Sequence, residues 1–404
     1  MSPDPSDTDK TPGPTALRVL ISAGDPSGDL HASRMAAELL RRRDDLHLYG
    51  LGGPKMAEAG VHVSHDNRGC SAIGIAESLK IVPRLLRVMA DLRHWLDTLP
   101  PDLVILVDYG AFNLRLAREV RSRQVPLLYY IPPGSWARAM REVTRRVAAL
   151  STRVATPFRW SADLLAEAGA NARFVGHPLL DGLGTMPSVE DARAALGLEP
   201  EQRAVALLPG ARPAEVRYIL PLMLRAARIM VARRPELVPV VSCAPSADRR
   251  AIEHAIRRER LEARIAESTP HVLRAASVGI AKSGTITMDA ALAGLPIVVT
   301  YAASRVSLIQ YHLLVKRMIR YIAMPNILMD EEIIPERYGK RGRPECLAEE
   351  ALAIYDDPAR RSAILAGYDR MRAELGEPGA ASAVADMVEE MLAEAARTRR
   401  VAGP

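Results

Sequence analysis

Cysteine is scarce in this chain: Cys70, Cys243 and Cys346 are the only three in 404 residues, far apart and without metal-ligand spacing. That argues against a disulfide framework and fits a reducing cytoplasm. Aromatic residues reach only 4%, and the arginines are dispersed rather than interleaved with them, so no nucleic-acid partner is expected. No stretch of about 18 uncharged apolar residues occurs, so nothing reads as a bilayer span. Residues 1–15, polar, Pro-rich and acidic, are unlike a signal peptide and read as a disordered tail. The one Asp-x-Asp, Asp7 to Asp9, lies inside that tail, where it cannot organise a divalent ion. Internal repeats are not evident.

What is present is globular: 48% hydrophobic and 25% charged residues, in a chain long enough for two domains. The net charge of +6 suits an acidic partner such as an anionic membrane face, although such a balance is common without one.

Apolar runs of the kind that buried parallel strands make recur at Leu17–Ser22, Leu46–Gly50, Asp102–Val107 and Pro126–Ile131, with helical stretches between them. After Gly176–Asp181 the pattern restarts at Ala204–Leu208, Leu237–Ser242, Ser277–Ala281 and Pro296–Tyr301. This predicts an α/β protein of the GT-B type, two Rossmann-like domains with parallel sheets facing a central cleft. The expected divisions are the tail at 1–15, an N-terminal domain at 16–181 and a Gly-, Pro- and acid-bearing linker at 182–202. A second domain follows at 203–345, then helices at 346–404 that partly pack back on the first domain.

Ligands of open α/β sheets sit beyond the carboxyl ends of the strands. Asp25–Gly28, Asp108, Pro132–Trp136, Pro209–Glu215 and Ser283–Thr285 all closely follow strand candidates. The most informative stretch is Lys282–Thr300 (KSGTITMDAALAGLPIVVT), read as a tight Ser283-Gly284-Thr285 turn, a short Ala-rich helix, a Gly-Leu-Pro stop and a buried strand. Unpaired N–H groups at such a helix start bind anions. Asp289, two turns into that helix, is an acceptor of the kind a ribose hydroxyl pair needs. Together they suggest a nucleotide-sugar diphosphate site; an ordinary αβ connection is the alternative reading. Two stretches, Ile73–Leu96 and Val306–Ile322, mix apolar residues at helical spacing with Lys and Arg. Each is either a core helix with a solvated basic face or a helix lying in an anionic interface.

From about Leu17 to Pro335 the chain resembles the lipid-A-disaccharide synthase family of inverting GT-B glycosyltransferases. The resemblance rests on Ala23–His31 (AGDPSGDLH), Gly50–Met56 (GLGGPKM), Ile73–Leu79 (IGIAESL) and Val107–Asn113 (VDYGAFN). Further on come Phe174–Asp181 (FVGHPLLD), Leu207–Arg212 (LLPGAR), Ser283–Pro296 and Met324–Leu328 (MPNIL). The pattern departs at Asp25 and Asp289, where the family has Glu, at Ala111, where it has a second Asp, and at Ala211, where it has Ser. It departs again at Pro132–Arg138 and after Pro335.

The resemblance implies a hexosyltransferase that moves 2,3-diacylglucosamine from UDP to the 6-hydroxyl of 2,3-diacylglucosamine 1-phosphate, with no cofactor. It implies a peripheral place on the inner face of the cytoplasmic membrane and leaves a homodimer open. The N-terminal domain would take the acceptor and the second the UDP-sugar. Asp108 matches the family's important Asp and is the first choice of general base, with capping of the next helix as its alternative. Asp25 and His31 are backup bases, and a structural role suits His31 as well. Ser27 and Gly28 belong to the same loop. Arg212 matches a UDP-binding Arg, or else pairs with Glu215. Ser283, Gly284 and Thr285 would serve the diphosphate and Asp289 the ribose. Asn326 matches an Asn near the donor, or else makes a plain turn. Turnover is expected to be unaffected by EDTA; activity lost to the chelator and restored by magnesium would contradict this.

Overall fold

A computed structural model describes residues 16–68, 70, 75–134, 141–244, 247–302 and 320–402. The expected tail, the sequence 303–319 within the second basic amphipathic stretch, and residues 135–138 lie outside the described residues. The chain forms two compact units, Met1–Asp181 with Leu375–Pro404, and Gly182–Glu374.

In the first unit, seven parallel strands form one sheet: β1 (Leu17–Ala23), β2 (Leu46–Gly52), β3 (His62–Asp66), β4 (Leu103–Val107), β5 (Leu127–Tyr130), β6 (Arg153–Thr156) and β7 (Ala172–Phe174). Their spatial order is 3-2-1-4-5-6-7. Side chains alternate across the pleat, so Val19, Ile21, Ile105 and Val107 enter one core while Leu20, Val104 and Leu106 enter another. Because both faces are covered, the strands read as unbroken apolar runs. Helix Pro26–Arg42 covers the first face with Met35 and Leu39. It starts at the Asp25 cap, with Pro26 in its first turn, and ends in Arg41 and Arg42. Helix Ile75–Thr98 covers the other face with Leu92 and Trp95.

The last helix, Ala380–Ala402, belongs to this unit and adds Val384, Val388 and Met391 to the first core. The carboxylate of Asp181 accepts from the N–H groups of Gly379 (2.6 Å), Ala380 (3.2 Å) and Ala381 (3.0 Å) at its start. Arg42 reaches Asp386 at 2.5 Å, and Arg153 pairs with Glu390 and Glu394.

The second unit is a five-stranded parallel sheet of β8 (Arg203–Leu208), β9 (Leu237–Ser242), β10 (Arg264–Ala266), β11 (Ala276–Lys282) and β12 (Ile297–Thr300), in the order 10-9-8-11-12. Residues 182–202, expected to be a linker, lie within this unit and carry helix Val189–Ala195, capped by the Ser188 hydroxyl. Its lead-in is tied to helix Thr269–Ala275 by Arg274, which donates to the Pro187 carbonyl at 3.2 Å. Helix Pro344–Asp356 and nearly all of Pro358–Leu375 pack here as well.

Two histidines of the first unit are held neutral by the fold. Burial, with His177, Arg34 and Lys55 nearby, pushes His31 down to about 3, and burial pushes His177 down to about 4. In the unfolded chain both titrate near 6.5. As pH falls below that value the unfolded state takes up protons that the native state refuses, so stability declines until the folded values are reached. The urea midpoint is expected to fall between pH 6.5 and 4, less steeply in His31→Gln; identical slopes for the two proteins would exclude a contribution from His31.

Candidate functional site

Each sheet has one place where neighbouring strands are reached by crossovers running in opposite directions: β1 beside β4, and β8 beside β11. Crevices open at the carboxyl ends of such strand pairs. Ala23 pairs with Val107 in the first unit, and Leu208 with Ala281 in the second. The loops that follow these four residues, with the first turns of the helices after them, carry every candidate except His31 and Asn326.

In the first unit, Asp25 is extended (φ −138°, ψ 165°) and its carboxylate accepts from Gly28 N–H at 2.6 Å. The Gly28 N–H is therefore spent within the loop. Asp108 and Tyr109 both adopt left-handed backbone, with φ of 46° and 53°. Such geometry costs roughly 1–3 kcal/mol at each non-glycine residue and persists only when its surroundings enforce it. Here the Asp108 N–H donates to Tyr130 O (3.0 Å), while its carbonyl accepts from Tyr129 Oη (3.1 Å) and Asn113 Nδ2 (2.9 Å). The Tyr109 ring lies so close to Gly24 that a Cβ there would stand 2.1 Å from it. The Tyr109 hydroxyl donates to the Cys70 carbonyl.

Asn113 is fully buried, and the sequence shows it only as the end of the Val107–Asn113 motif. It accepts from Ser22 Oγ at 2.7 Å, and its amide donates toward the carbonyls of Ser22, Val107 and Asp108. It thus ties the ends of β1 and β4 to the candidate base. The available signal was a polar amide among the apolar Phe112, Leu116 and Ala117 of one helix.

Burial first, and then the neighbouring Asp25 carboxylate, push Asp108 up to about 7. A base poised there suits proton removal near neutral pH. His31 does not suit it. Its ring is buried, with Nε2 3.3 Å from Ser27 Oγ and Nδ1 lacking a hydrogen-bond partner among the described residues. An imidazole pushed down to about 3 holds a proton too weakly to serve as the backup base anticipated from sequence. Asp29, in contrast, is buried structural carboxylate, accepting from the N–H groups of Gly53, Lys55 and Met56 and so fastening the neighbouring loop.

In the second unit, Arg212 begins helix Pro213–Tyr218, and Glu215 Oε2 accepts its backbone N–H at 3.1 Å. The Arg212 guanidinium is about half exposed and stands 3.8 Å from Glu215 Oε1, so the pairing read as an alternative in the sequence is present but loose. Glu215 Oε1 also accepts from Lys282 Nζ at 2.9 Å.

Gly284 turns the chain with φ 131°. The Ser283 hydroxyl is committed to Ile322 O (2.5 Å), and its N–H to Thr300 O (3.0 Å). Thr285, exposed, starts helix Ile286–Leu292 without a capping bond from its side chain. That helix has only seven residues, and Asp289 stands in its first turn rather than two turns in.

Asn326 departs from expectation. It is wholly buried: its Nδ2 donates to Ile334 O (2.8 Å) and Glu336 Oε1 (2.9 Å), and its Oδ1 accepts from Ile334 N–H (3.0 Å). Its amide is used up in positioning the chain and is not offered to a ligand. Glu336 in turn accepts from the N–H groups of Ile322 and Ala323 ahead of helix Met324–Met329, and burial pushes its carboxyl up. Among the described residues, no group of three or more His, Cys, Asp or Glu side chains is placed to hold a metal ion.

Chemically, the first crevice offers a carboxylate that can take a proton near neutrality, and the second offers two cations around one carboxylate. Solved structures with this fold include the UDP-GlcNAc 2-epimerase of Neisseria meningitidis bound to UDP-GlcNAc. It has a TM-score of 0.60 at 10% identity, covering 93% of this chain and 100% of that one. The calicheamicin glycosyltransferase CalG4 is similar with a TM-score of 0.59 at 15% identity, over 94% of this chain and 98% of that one. At such identities the likeness speaks for the GT-B fold alone. Sequence relatives go further. A lipid-A-disaccharide synthase of Myxococcus xanthus (strain DK1622) is 36% identical over 379 residues, 93% of this chain and 97% of the relative. One of Prochlorococcus marinus (strain MIT 9313) is 34% identical over 376 residues, 90% and 96% of the two chains. The sequence profile described as Lipid-A-disaccharide synthetase matches residues 19–390, and by that match the chain belongs to the lipid-A-disaccharide synthetase family.

Proposed function

We propose that the chain is a lipid-A-disaccharide synthase, a glycosyltransferase acting with inversion. It moves 2,3-diacylglucosamine from its UDP carrier to the 6-hydroxyl of 2,3-diacylglucosamine 1-phosphate, releasing UDP and the lipid A disaccharide 1-phosphate. The observation that carries this reading is the family match along residues 19–390.

In the proposed mechanism Asp108 takes the proton of the 6-hydroxyl as the oxygen attacks the anomeric carbon. The carbon–oxygen bond to the β-phosphate breaks on the opposite face, and the electron pair leaves with UDP. Arg212 meets the diphosphate oxygens in forked geometry, and the Ser283–Thr285 turn lies against them. Asp289 takes the ribose hydroxyls. Asp25 acts on Asp108 by like-charge repulsion, in keeping with its part in raising that carboxyl to about 7.

A second reading is a related glycosyltransferase with another lipid-linked acceptor. It is motivated by Ala111, an exposed residue where the family has a second Asp beside the candidate base. Incubation with UDP-diacylglucosamine and the monosaccharide 1-phosphate, followed by mass spectrometry, decides between them. UDP and disaccharide are expected; donor binding with no release of UDP would favour the second reading. Because the base works deprotonated, kcat/KM is expected to rise with pH through about 7, and Asp25→Asn should move that rise to lower pH. Asp108→Asn should cut transfer by roughly 10²–10⁴-fold with UDP affinity kept; unchanged transfer would remove Asp108 as the base.

We further propose a peripheral membrane contact. Among the described residues no helix is long and apolar enough to cross a bilayer. Yet helix Ile75–Thr98 exposes Val82 and Leu86 beside Arg84 and Arg87, which fits an anionic lipid surface serving an acylated substrate. Sedimentation with anionic vesicles is expected in low salt and lost in high salt; no binding in low salt would reject the contact.

A further inference from the structure

The second unit holds a second cation, Lys282, against Glu215. Lys282 ends β11, and its side chain is only 18% exposed. Its Nζ lies beneath the Ser283–Thr285 turn, where a Cβ on Gly284 would fall 2.9 Å from it. On its other side stands the loop after β8: a Cβ on Gly210 would meet Lys282 Cε at 3.2 Å and Glu215 Oε2 at 2.1 Å. Two glycines at positive φ, 94° and 131°, thus leave room for one ammonium group between the two loops assigned to the diphosphate. Helix Ile286–Leu292 is too short to supply much field of its own. The positive charge at this turn comes from side chains.

We propose that Lys282 is a second cationic ligand of the donor diphosphate, with Glu215 holding it in place before the donor arrives; this deepens, and rests on, the donor-site reading given above. Glu215 Oε2 is occupied by the Arg212 N–H, and Oε1 holds Lys282 at 2.9 Å and Arg212 at 3.8 Å. One carboxylate between two cations leaves the cluster net positive before any ligand binds. An ammonium has three N–H donors, so Lys282 can keep its bond to Glu215 and still donate to phosphate oxygens. Arg212 supplies directional, forked bonds, whereas Lys282 supplies a compact charge. As the anomeric carbon–oxygen bond breaks, the electron pair settles on the β-phosphate oxygen. That added charge is stabilised by a neighbouring ammonium with no proton transfer.

The competing account is that Lys282 only neutralises Glu215. Titration calorimetry of UDP and of uridine against wild type, Lys282→Met, Glu215→Gln and the double variant Lys282→Met/Glu215→Gln separates the two. Under the proposal, Lys282→Met weakens UDP about tenfold or more while uridine binds as to wild type, and the double variant binds UDP more weakly than Glu215→Gln alone. Uridine binding also reports that each variant is folded. Wild-type UDP affinity in Lys282→Met, equal UDP affinity in Glu215→Gln and the double variant, or equal losses for UDP and uridine would each overturn the proposal. A wild-type chain that binds no UDP would instead overturn the donor-site reading itself, and this proposal with it.

Discussion

Parallel strands cannot be joined by hairpins; each needs a crossover, and the hand of that crossover is fixed. That constraint organises both units. Crossovers that leave β1 toward β2 and later return to β4 on its other side force the loops after β1 and β4 apart, and the same happens at β8 and β11. The resulting openings are useful only if their rims are rigid. In the first unit a buried amide, Asn113, secures the rim by bonding to Ser22, Val107 and Asp108 together. In the second the ion pair of Lys282 with Glu215 joins the loops after β11 and β8.

The two rims carry opposite charge on the same topology. Asp25 and Asp108 are crowded together in the first, so burial and mutual repulsion bring one of them to a useful basicity. Arg212 and Lys282 gather around one carboxylate in the second. In the proposed displacement a hydroxyl gives up a proton and a diphosphate departs, and these two rims are the proposed proton acceptor and anion cradle. The strained backbone at Asp108 and Tyr109 belongs to the same economy, since the bonds from Tyr129, Tyr130 and Asn113 offset its cost.

Central strands such as β1, β4, β8 and β11 were legible because burial on both faces leaves an unbroken apolar signature. The strands β3, β6, β7 and β10 were not. They have three to five residues and carry His, Arg or Asp, and their pairing depends on the neighbour rather than on their own pattern. The placement of Asp25, Asp108, Arg212 and Ser283 at strand ends could be read from the runs preceding them. Of their partners, only Glu215 beside Arg212 could be read as well. Asn326 looks like a loop residue in sequence, and only the fold brings it to Glu336, ten residues on. His31 looks like a titratable group beside a polar loop, and only burial reveals that it stays neutral. Lys282 looks like the exposed end of a strand, and Glu215, distant in the chain, is what anchors it.

The helix Ala380–Ala402 has a consequence for how the polypeptide is made. It forms one wall of the first core, against Met35, Leu39 and the strands β1 and β4, yet it is made only after the whole of the second unit. A ribosome that has finished residues 1–181 still holds back that wall, so the nascent first unit carries an uncovered apolar face through translation of everything between. Domains generally fold as units and amino-terminal first, and uncovered faces invite misassociation. Here the second unit is complete in the chain before the first, and emergence of residues 380–402 is the event that lets the first core close.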